Sequence, residues 1–262
     1  MLVVAPSHRR CARLPKLGPN TTLPFVLAAR LPRVLLFDLD DTILRFSAGQ
    51  PNFWRSALQV HLPEHADHLT LVAAIDDASQ EVWAQSERAF WGRQNMQQAR
   101  RLIACTALGR HGVVEGECHR IADHMTESKE EYVRPFDGAL EALRVLRGRG
   151  HRLGLLTNGS SVFQRRKLSR FELEPLFELL LIEGELGYGK PDRRVFEAAL
   201  AHFGSGAREA CMIGDNLDAD VAGAQALGIF AVWHDAAGAG LPAASGVVPD
   251  AVILRISDLI AP

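Results

Sequence analysis

The sequence has little of what characterises secreted, membrane or nucleic-acid-binding proteins. Its four cysteines, Cys11, Cys105, Cys118 and Cys211, show no paired or metal-ligand spacing, which argues against a disulfide framework and favours a reducing cytoplasm. No apolar run approaches the roughly 20 residues needed to cross a bilayer. The formal net charge is only −2, so we expect neither a nucleic acid nor a membrane as partner.

Acidic residues are absent from the first 32 positions, which nevertheless contain five basic side chains. Four prolines between positions 6 and 24 oppose a long amphipathic transit helix, and the apolar stretch LPFVLAA is too short and too late for an ordinary secretory signal. We therefore predict that residues 1–31 form a basic, disordered extension. An over-long start assignment would account for such an extension, and an organelle address is the alternative.

The most informative stretch is VLLFDLDDTIL, at residues 34–44. A short run of large apolar residues closed by polar turn residues predicts a strand that is buried on both faces of a parallel sheet. Asp38 and Asp40 follow this run, at the end of the strand where open α/β sheets bind their ligands. Their spacing of two places both carboxylates on one side of an extended chain, where they suit a cation or a division between nucleophile and proton donor.

Three later segments repeat this design of an apolar strand followed by a polar turn. The first ends in a TNG turn before a helix, the second carries a lysine in a glycine-rich loop, and the third is followed by three acids within six residues. Each has an ordinary alternative, namely a simple turn, a solvated lysine or an acidic helix start. The residues concerned are Thr157, Asn158 and Gly159; Lys190; and Asp215, Asp218 and Asp220.

Taken in order, the four segments resemble the haloacid dehalogenase-like (HAD) superfamily, whose phosphotransferase members carry DxDxT, a Thr or Ser turn, a Lys and GDxxxxD. The resemblance covers residue 31 to the C-terminus. The TNG turn with Gln164 and Lys167, followed by GKPDRRVF, is similar to the subgroup of N-acylneuraminate-9-phosphatase and pyrimidine 5′-nucleotidases. The resemblance implies an α/β fold, a Rossmann-like doubly wound parallel sheet core with an inserted all-helical cap domain.

The pattern along the chain agrees with two parts. Apolar positions recur at helical spacing over residues 47–133 without strand alternation, which predicts an all-helical insert; the resemblance identifies this insert as the cap. Strand and helix signals alternate after it, among them a strand at 179–182 and helices near 193–203 and 219–227. This alternation predicts a parallel sheet covered by helices on both faces. We therefore assign residues 32–46 and 134–262 to the α/β core and residues 47–133 to the cap.

Charge argues for a metal ion in the predicted site. Several carboxylates and a phosphate monoester in one pocket repel each other, by about 4 kcal/mol for two unit charges ~4 Å apart at an effective dielectric of 20. Oxygen ligands beside a phosphate match Mg²⁺. The resemblance assigns to it one oxygen of Asp38, the backbone carbonyl of Asp40, and Asp215.

The resemblance also implies the catalytic roles. Asp38 is the nucleophile that forms an aspartyl-phosphate, and Asp40 is the general acid and base. Thr157 and the Asn158 backbone hold the phosphoryl oxygens, Lys190 offsets negative charge, and Asp220 supports Lys190 or a metal-bound water rather than binding the ion.

We therefore predict an Mg²⁺-dependent phosphatase for a small soluble phosphate monoester, a sugar phosphate or a nucleotide. Specificity is expected in the cap and in the segment after Leu44, with Arg45, Trp91 and Arg93 as candidates. A phosphosugar mutase on the same fold and a catalytically silent protein that binds a phospho-ligand are the alternatives. A haloacid dehalogenase needs neither Asp40 nor Asp215. The sequence does not indicate the oligomeric state.

Overall fold

A computed structural model describes residues 27–28, 30–47, 52–65 and 67–261. Six parallel strands form one sheet in the order β5-β4-β1-β6-β7-β8, and β2 pairs with β3 in a separate antiparallel ribbon. The strands are β1 (Val34–Phe37), β2 (Leu44–Arg45), β3 (Arg134–Pro135), β4 (Arg152–Thr157), β5 (Leu179–Ile182), β6 (Ala210–Gly214), β7 (Phe230–His234) and β8 (Ala251–Ile253).

The central strand β1 is buried on both faces, as its uninterrupted apolar run predicts. Leu35 and Phe37 belong to the hydrophobic core on one side of the sheet, whereas Val34 and Leu36 belong to the core on the other side. The chain runs from β1 outward through β4 to β5 and then crosses to β6 on the opposite side of β1. The strand order therefore reverses beside β1, which is where ligands bind in open α/β sheets.

Helices surround the sheet and fill the segment between β2 and β3. Between β2 and β3, the helices are α1 (Phe53–His61), α2 (His68–Trp83), α3 (Ser86–Gln94), α4 (Met96–Leu108) and α5 (Glu115–Tyr132). Those after β3 are α6 (Ala139–Gly148), α7 (Ser161–Arg170), α8 (Glu183–Leu186), α9 (Arg193–Phe203) and, after a π-helical turn at Leu217–Ala222, α10 (Gly223–Gln225).

Helices α1 to α5, which we call the helical insert (Phe53–Tyr132), pack around a hydrophobic core of their own. Leu58, Leu71, Ile75, Leu108 and Ile121 are completely buried there. The insert is thus a separate helical layer connected to the sheet through the β2 and β3 ribbon.

No helix among the described residues combines the length and the apolar character of a membrane span.

Local signals set the ends of two helices that carry or follow site residues. Ser160 caps α7 by accepting a hydrogen bond from the Phe163 N–H at 3.4 Å. Asp192 caps α9 by accepting from the Arg194 N–H at 2.9 Å, and α9 ends at Gly204 in the left-handed conformation.

The predicted fold class, an α/β core with a doubly wound parallel sheet, is confirmed. The predicted basic extension over residues 1–31 lies almost entirely outside the described residues. Of its described positions, Leu27 is buried and packs into the core that contains Phe37. Specificity was also expected in the segment 44–49, and its last two residues, 48 and 49, lie outside the described residues as well.

Candidate active site

The predicted site residues meet at the carboxyl edge of the three central strands. Asp38 directly follows β1, and its N–H donates to the Ile213 carbonyl of β6 at 2.9 Å. Thr157 ends β4, and Asp215 follows β6. The parallel register therefore places three polar side chains side by side, as expected for adjacent strands that end at one edge.

Lys190 lies between two of the acids. Its Nζ is 2.5 Å from Asp38 Oδ1 and 2.6 Å from Asp220 Oδ1, and its side chain is 3% exposed. Burial opposes the charge on this lysine, but the carboxylates of Asp220 and Asp38 outweigh burial and raise its pKa. Lys190 is therefore a permanent positive charge against Asp38, with Asp220 as its second partner.

Asp220 is aimed at Lys190 by an irregular turn of helix. The π-helical turn at Leu217–Ala222 begins after Asn216, whose side chain accepts from the N–H groups of Asp218 and Ala219 at 3.1 and 2.8 Å. The Asn216 N–H in turn donates to Asp220 Oδ2 at 3.0 Å. Asp218, the remaining acid of this segment, is exposed.

A group of carboxylates here has the chemistry of a cation site. One oxygen each of Asp38, Asp215 and Asp220 lie within 4.8 Å of one another. Burial, followed by the charges of neighbouring acids, raises the pKa of Asp215 to about 8, and burial raises that of Asp38 to about 7 despite Lys190. Because Asp220 is engaged with Lys190, Asp38 and Asp215 are the side chains that fit a hard cation such as Mg²⁺.

Asp40 has a different set of partners. Lys167 Nζ donates to both of its carboxylate oxygens at 2.7 Å, and Gln164 Nε2 donates to Oδ2 at 3.1 Å. Lys167 also donates to Gln164 Oε1 at 2.9 Å, which fixes the orientation of the amide. The two acids of the DxD motif therefore have separate lysines, Lys190 for Asp38 and Lys167 for Asp40.

The TNG turn and the Lys190 loop are joined by one side chain. Asn158 Nδ2 donates to the Lys190 carbonyl at 2.7 Å, and the Lys190 N–H donates to Asn158 Oδ1 at 2.8 Å. Thr157 Oγ1 accepts from Gln164 Nε2 at 2.5 Å, which orients the threonine hydroxyl. The structure thus brings together Asp38, Asp40, Thr157, Asn158, Lys190, Asp215 and Asp220.

Glu183 connects this site to the helical insert. Its Oε2 accepts the N–H of Gly159 at 2.8 Å and the Gln94 amide at 3.2 Å. Arg93 reaches the same carboxylate with two groups, Nε at 3.0 Å from Oε2 and Nη2 at 2.8 Å from Oε1. Two consecutive residues of α3 therefore contact the acid that holds the TNG turn.

The three specificity candidates lie in different surroundings. Arg93 is bound to Glu183, as described above. Arg45 stacks its guanidinium 5.0 Å from the centre of the Phe136 ring, and its buried Nε has no hydrogen bond within the described residues. Trp91 lines a groove of about 430 Å³ between α2, α3 and α4, together with residues such as Val82 and Leu102. Their roles in specificity stay predictions.

Several side chains of the site carry contacts that the sequence motifs did not indicate. Gln164 and Lys167 entered the sequence analysis only as marks of a subgroup, and Glu183 not at all. The scarcity of lysine was one signal available in the sequence, since only four of its 29 basic residues are lysines. Lys190 contacts Asp38, Lys167 contacts Asp40, and Lys129 and Lys167 each place Nζ 4.1 Å from the centre of the Phe46 ring.

Comparison with known proteins agrees with this geometry. The family of haloacid dehalogenase-like hydrolases matches residues 32–228. A phosphoserine phosphatase from Thermus thermophilus is 33% identical over 87% of this chain and 96% of its own length. A glyceraldehyde 3-phosphate phosphatase from Pyrococcus abyssi is 41% identical, over 43% of this chain and 47% of its own. The pyrimidine 5′-nucleotidase YjjG from Escherichia coli is 32% identical, over 49% and 56%.

Solved structures show the same fold. The HAD hydrolase YfnB from Bacillus subtilis, bound to magnesium, aligns with a TM-score of 0.67 at 24% identity, over 88% of this chain and 97% of that one. A 2-haloacid dehalogenase from Pseudomonas syringae pv. tomato aligns with a TM-score of 0.59 at 27% identity over the same shares. The resemblance inferred from the motifs is confirmed, as is the prediction of a phosphoric monoester hydrolase. The chain belongs to the haloacid dehalogenase-like hydrolase family.

Proposed function

We propose that the protein is an Mg²⁺-dependent phosphatase that hydrolyses a small phosphate monoester through an aspartyl-phosphate. The observation that carries the proposal is the different setting of the two DxD acids. Asp38 is buried beside Lys190 and close to Asp215, whereas Asp40 is held by Lys167 and Gln164. These different settings support nucleophilic attack by Asp38 and proton transfer by Asp40.

The acids fit the metal that this chemistry needs. Asp38, Asp215 and the backbone carbonyl of Asp40 would hold Mg²⁺, since these are hard oxygen donors. Burial, together with the charges of neighbouring acids, raises the pKa of both carboxyls, and a bound cation would favour their charged forms. When bound, Mg²⁺ supplies charge neutralisation and polarises the phosphoryl group.

In the first half-reaction, a carboxylate oxygen of Asp38 attacks phosphorus in line with the ester oxygen. The new bond joins phosphorus to Asp38, and the bond to the alcohol oxygen breaks. Asp40, in its protonated form, gives its proton to the departing alcohol oxygen. Lys190 offsets the charge at Asp38, from which its Nζ lies 2.5 Å.

In the second half-reaction, Asp40 as a carboxylate takes a proton from the water that attacks the phosphorus of the intermediate. The phosphorus–Asp38 bond breaks, inorganic phosphate leaves, and Asp40 is again protonated. The Thr157 hydroxyl, which Gln164 orients, and the Asn158 N–H hold phosphoryl oxygens in both steps.

The helical insert acts as a cap that keeps bulk water from the intermediate. Its contacts with the core support this role, since Arg93 and Gln94 bind Glu183 beside the TNG turn. The named relatives act on phosphoserine, glyceraldehyde 3-phosphate and pyrimidine nucleotides, so we infer a small polar metabolite as substrate.

A screen of phosphorylated metabolites with purified protein and Mg²⁺ tests the proposal by measuring released phosphate. Asp38→Asn is the matched control, because it removes the nucleophilic charge while keeping the shape of the side chain. We expect phosphate from at least one small ester, and neither turnover nor phosphoenzyme from Asp38→Asn. Turnover in that variant would remove Asp38 as nucleophile. Formation of an isomeric phosphosugar with little free phosphate would show that the enzyme is a mutase and not a phosphatase.

A further inference from the structure

The helical insert contains a buried arginine without a bonded partner among the described residues. Arg100 of α4 is only 7% exposed, and it makes no hydrogen bond or ion pair with any residue that the structure describes. Burial lowers its pKa to about 10, although the charge of Glu130 acts in the opposite direction. The Glu130 carboxylate itself is bonded to Arg166, at 2.7 Å. The side chain is thus mostly buried, while its guanidinium nitrogens are not among the fully enclosed polar atoms without a partner. A charge that is largely removed from water and has no bonded partner costs stability, and charged groups of this kind cluster at functional sites.

A second cation lies near it. Lys129 of α5 has Nζ 4.1 Å from the centre of the Phe46 ring, but this ammonium likewise has no hydrogen bond or ion pair within the described ranges. Burial, and then the charge of Arg100, lower its pKa to about 8, while Asp41 and Asp40 act on it in the opposite sense. Two positive side chains of the insert therefore repel one another, one of them buried and the other half-buried.

Lys129 lies near Asp40, the acid that is proposed to protonate the leaving alcohol. Lys167 Nζ is also 4.1 Å from the Phe46 ring centre, so the two ammonium nitrogens are no farther apart than twice that distance. Lys167 in turn bonds both oxygens of Asp40 at 2.7 Å. Since Asp40 is proposed to protonate the departing alcohol, Lys129 lies within reach of a group attached to that alcohol.

We propose that Arg100 and Lys129 form a subsite for a second anionic group, a carboxylate or a second phosphate, on the alcohol part of the substrate. The inference rests on the proposed phosphatase function and narrows its substrate to phosphate esters that carry another negative charge. The guanidinium offers a planar fork of donors that matches carboxylate and phosphate oxygens, and the ammonium adds a point charge. Binding such a group supplies the partner that both cations lack.

Three esters of one carbon skeleton test the subsite. Glycerol 3-phosphate has a neutral alcohol at the far carbon, 3-phosphoglycerate has a carboxylate there, and glycerol 1,3-bisphosphate has a second phosphate. We expect a higher kcat/KM for one or both charged esters than for glycerol 3-phosphate, and the two charged esters distinguish the carboxylate from the phosphate. p-Nitrophenyl phosphate reports the activity that does not depend on the subsite.

The variants are Arg100→Gln and Lys129→Gln, with Arg110→Gln as control, because Arg110 is an exposed cation of the same insert. Loss of a charge-assisted hydrogen bond in a buried site is expected to lower kcat/KM for the charged ester by roughly 10- to 100-fold. Glycerol 3-phosphate and p-nitrophenyl phosphate should change little, and Arg100→Lys should recover part of the loss. Arg100→Gln should melt at the same temperature as the wild type or higher, since it removes an unpaired buried charge.

Equal losses on charged and neutral esters, or a wild type without any preference for the charged ones, would overturn the subsite. Absence of phosphate release from every ester, p-nitrophenyl phosphate included, would instead overturn the phosphatase. In that case the subsite can be tested by binding. The change in melting temperature caused by 3-phosphoglycerate or the bisphosphate is compared with that caused by glycerol 3-phosphate, in the wild type and in Lys129→Gln. Lys129→Gln also carries the test should Arg100→Gln fail to fold.

Discussion

Arg93 and Glu183 form a forked ion pair that joins the helical insert to the α/β core. The guanidinium is one-third exposed, whereas the Glu183 carboxylate is 1% exposed and also accepts the Gly159 N–H. Because the acid is buried, its charge depends on Arg93 and on the donors around it. The pair therefore connects the position of the insert with the turn that is proposed to hold phosphate.

We predict that Arg93→Leu destabilises the protein by about 1 to 3 kcal/mol, because it leaves a buried carboxylate short of a partner. It should also raise KM, since the Gly159 turn loses its support. Thermal unfolding and steady-state kinetics measure the two effects. Arg193→Leu is the control, because it breaks an exposed ion pair with Glu197 and should change neither quantity by much. Similar behaviour of the two variants would contradict a structural role for the Arg93 pair.

For Asp40→Asn, we predict an effect that depends on the leaving group. A poor alcohol leaving group needs a proton from Asp40, whereas an activated phenolate departs without one. General acid–base assistance is worth about 10² to 10⁴ in rate. The rate of phosphoenzyme formation should therefore fall by that factor with an alkyl ester and by far less with p-nitrophenyl phosphate. Burst kinetics separate that step from hydrolysis of the intermediate. A uniform loss in phosphoenzyme formation from both esters would remove Asp40 as general acid.

We predict that Gly214→Ala displaces Asp220, the second carboxylate partner of Lys190. A methyl group at Gly214 would lie against the Asp220 side chain, 2.6 Å from its Cβ and closer still to the carboxylate. Asp220 must then move away from Lys190, and overpacking of this kind costs about 1 to 3 kcal/mol. We expect a lower melting temperature and a large loss of kcat. Gly148→Ala is the control, since nothing lies within 4 Å of a methyl group there, and it should retain full activity.

The raised pKa values of Asp38 and Asp215 predict how pH affects stability without metal. Their pKa values in the folded state, about 7 and about 8, exceed the ordinary value of 3.8. At pH values between the ordinary and the raised pKa, the folded state therefore binds more protons than the unfolded chain. The free energy of unfolding should therefore fall as pH rises from about 4 to about 8. Mg²⁺ competes with those protons, so it should raise the melting temperature more at about pH 8 than at about pH 5.

Melting curves in chelator and in Mg²⁺ at the two pH values test this prediction. Asp215→Asn should weaken both the pH dependence and the response to Mg²⁺, because the amide cannot titrate and binds the cation less well. An Mg²⁺ effect of equal size at both pH values, or one that persists in Asp215→Asn, would speak against the carboxylates as its cause.

Most of the core follows from local patterns in the sequence. The strand predicted at Leu179–Ile182 and the helix predicted at Arg193–Phe203 have those bounds in the structure, because apolar periodicity and flanking turn residues act locally. The helix expected near residues 219–227 differs. It is a π-helical turn followed by α10, since Asn216 and Lys190 both engage Asp220 and fix the backbone there.

The motifs could indicate which residues meet but not which side chains hold them. Lys167 and Asp40 are 127 positions apart, and Arg93 and Glu183 are 90 apart, so each pair depends on how the layers pack and on no local period. Arg100 is harder still, because an arginine on an amphipathic helix is expected to be solvated. Only its burial in the folded insert distinguishes it from exposed neighbours such as Arg110.

The scarcity of lysine gives the protein an unusual chemical selectivity. Three of its four lysines contact Asp38, Asp40 or the nearby Phe46 ring, and the fourth, Lys16, lies outside the described residues. With a pKa of about 8, Lys129 is substantially an uncharged, nucleophilic amine in mildly alkaline solution, whereas Lys190 stays protonated between its carboxylates. An acylating reagent would therefore discriminate between neighbouring lysines, and protection of Lys129 from acylation would report directly that its pocket is filled.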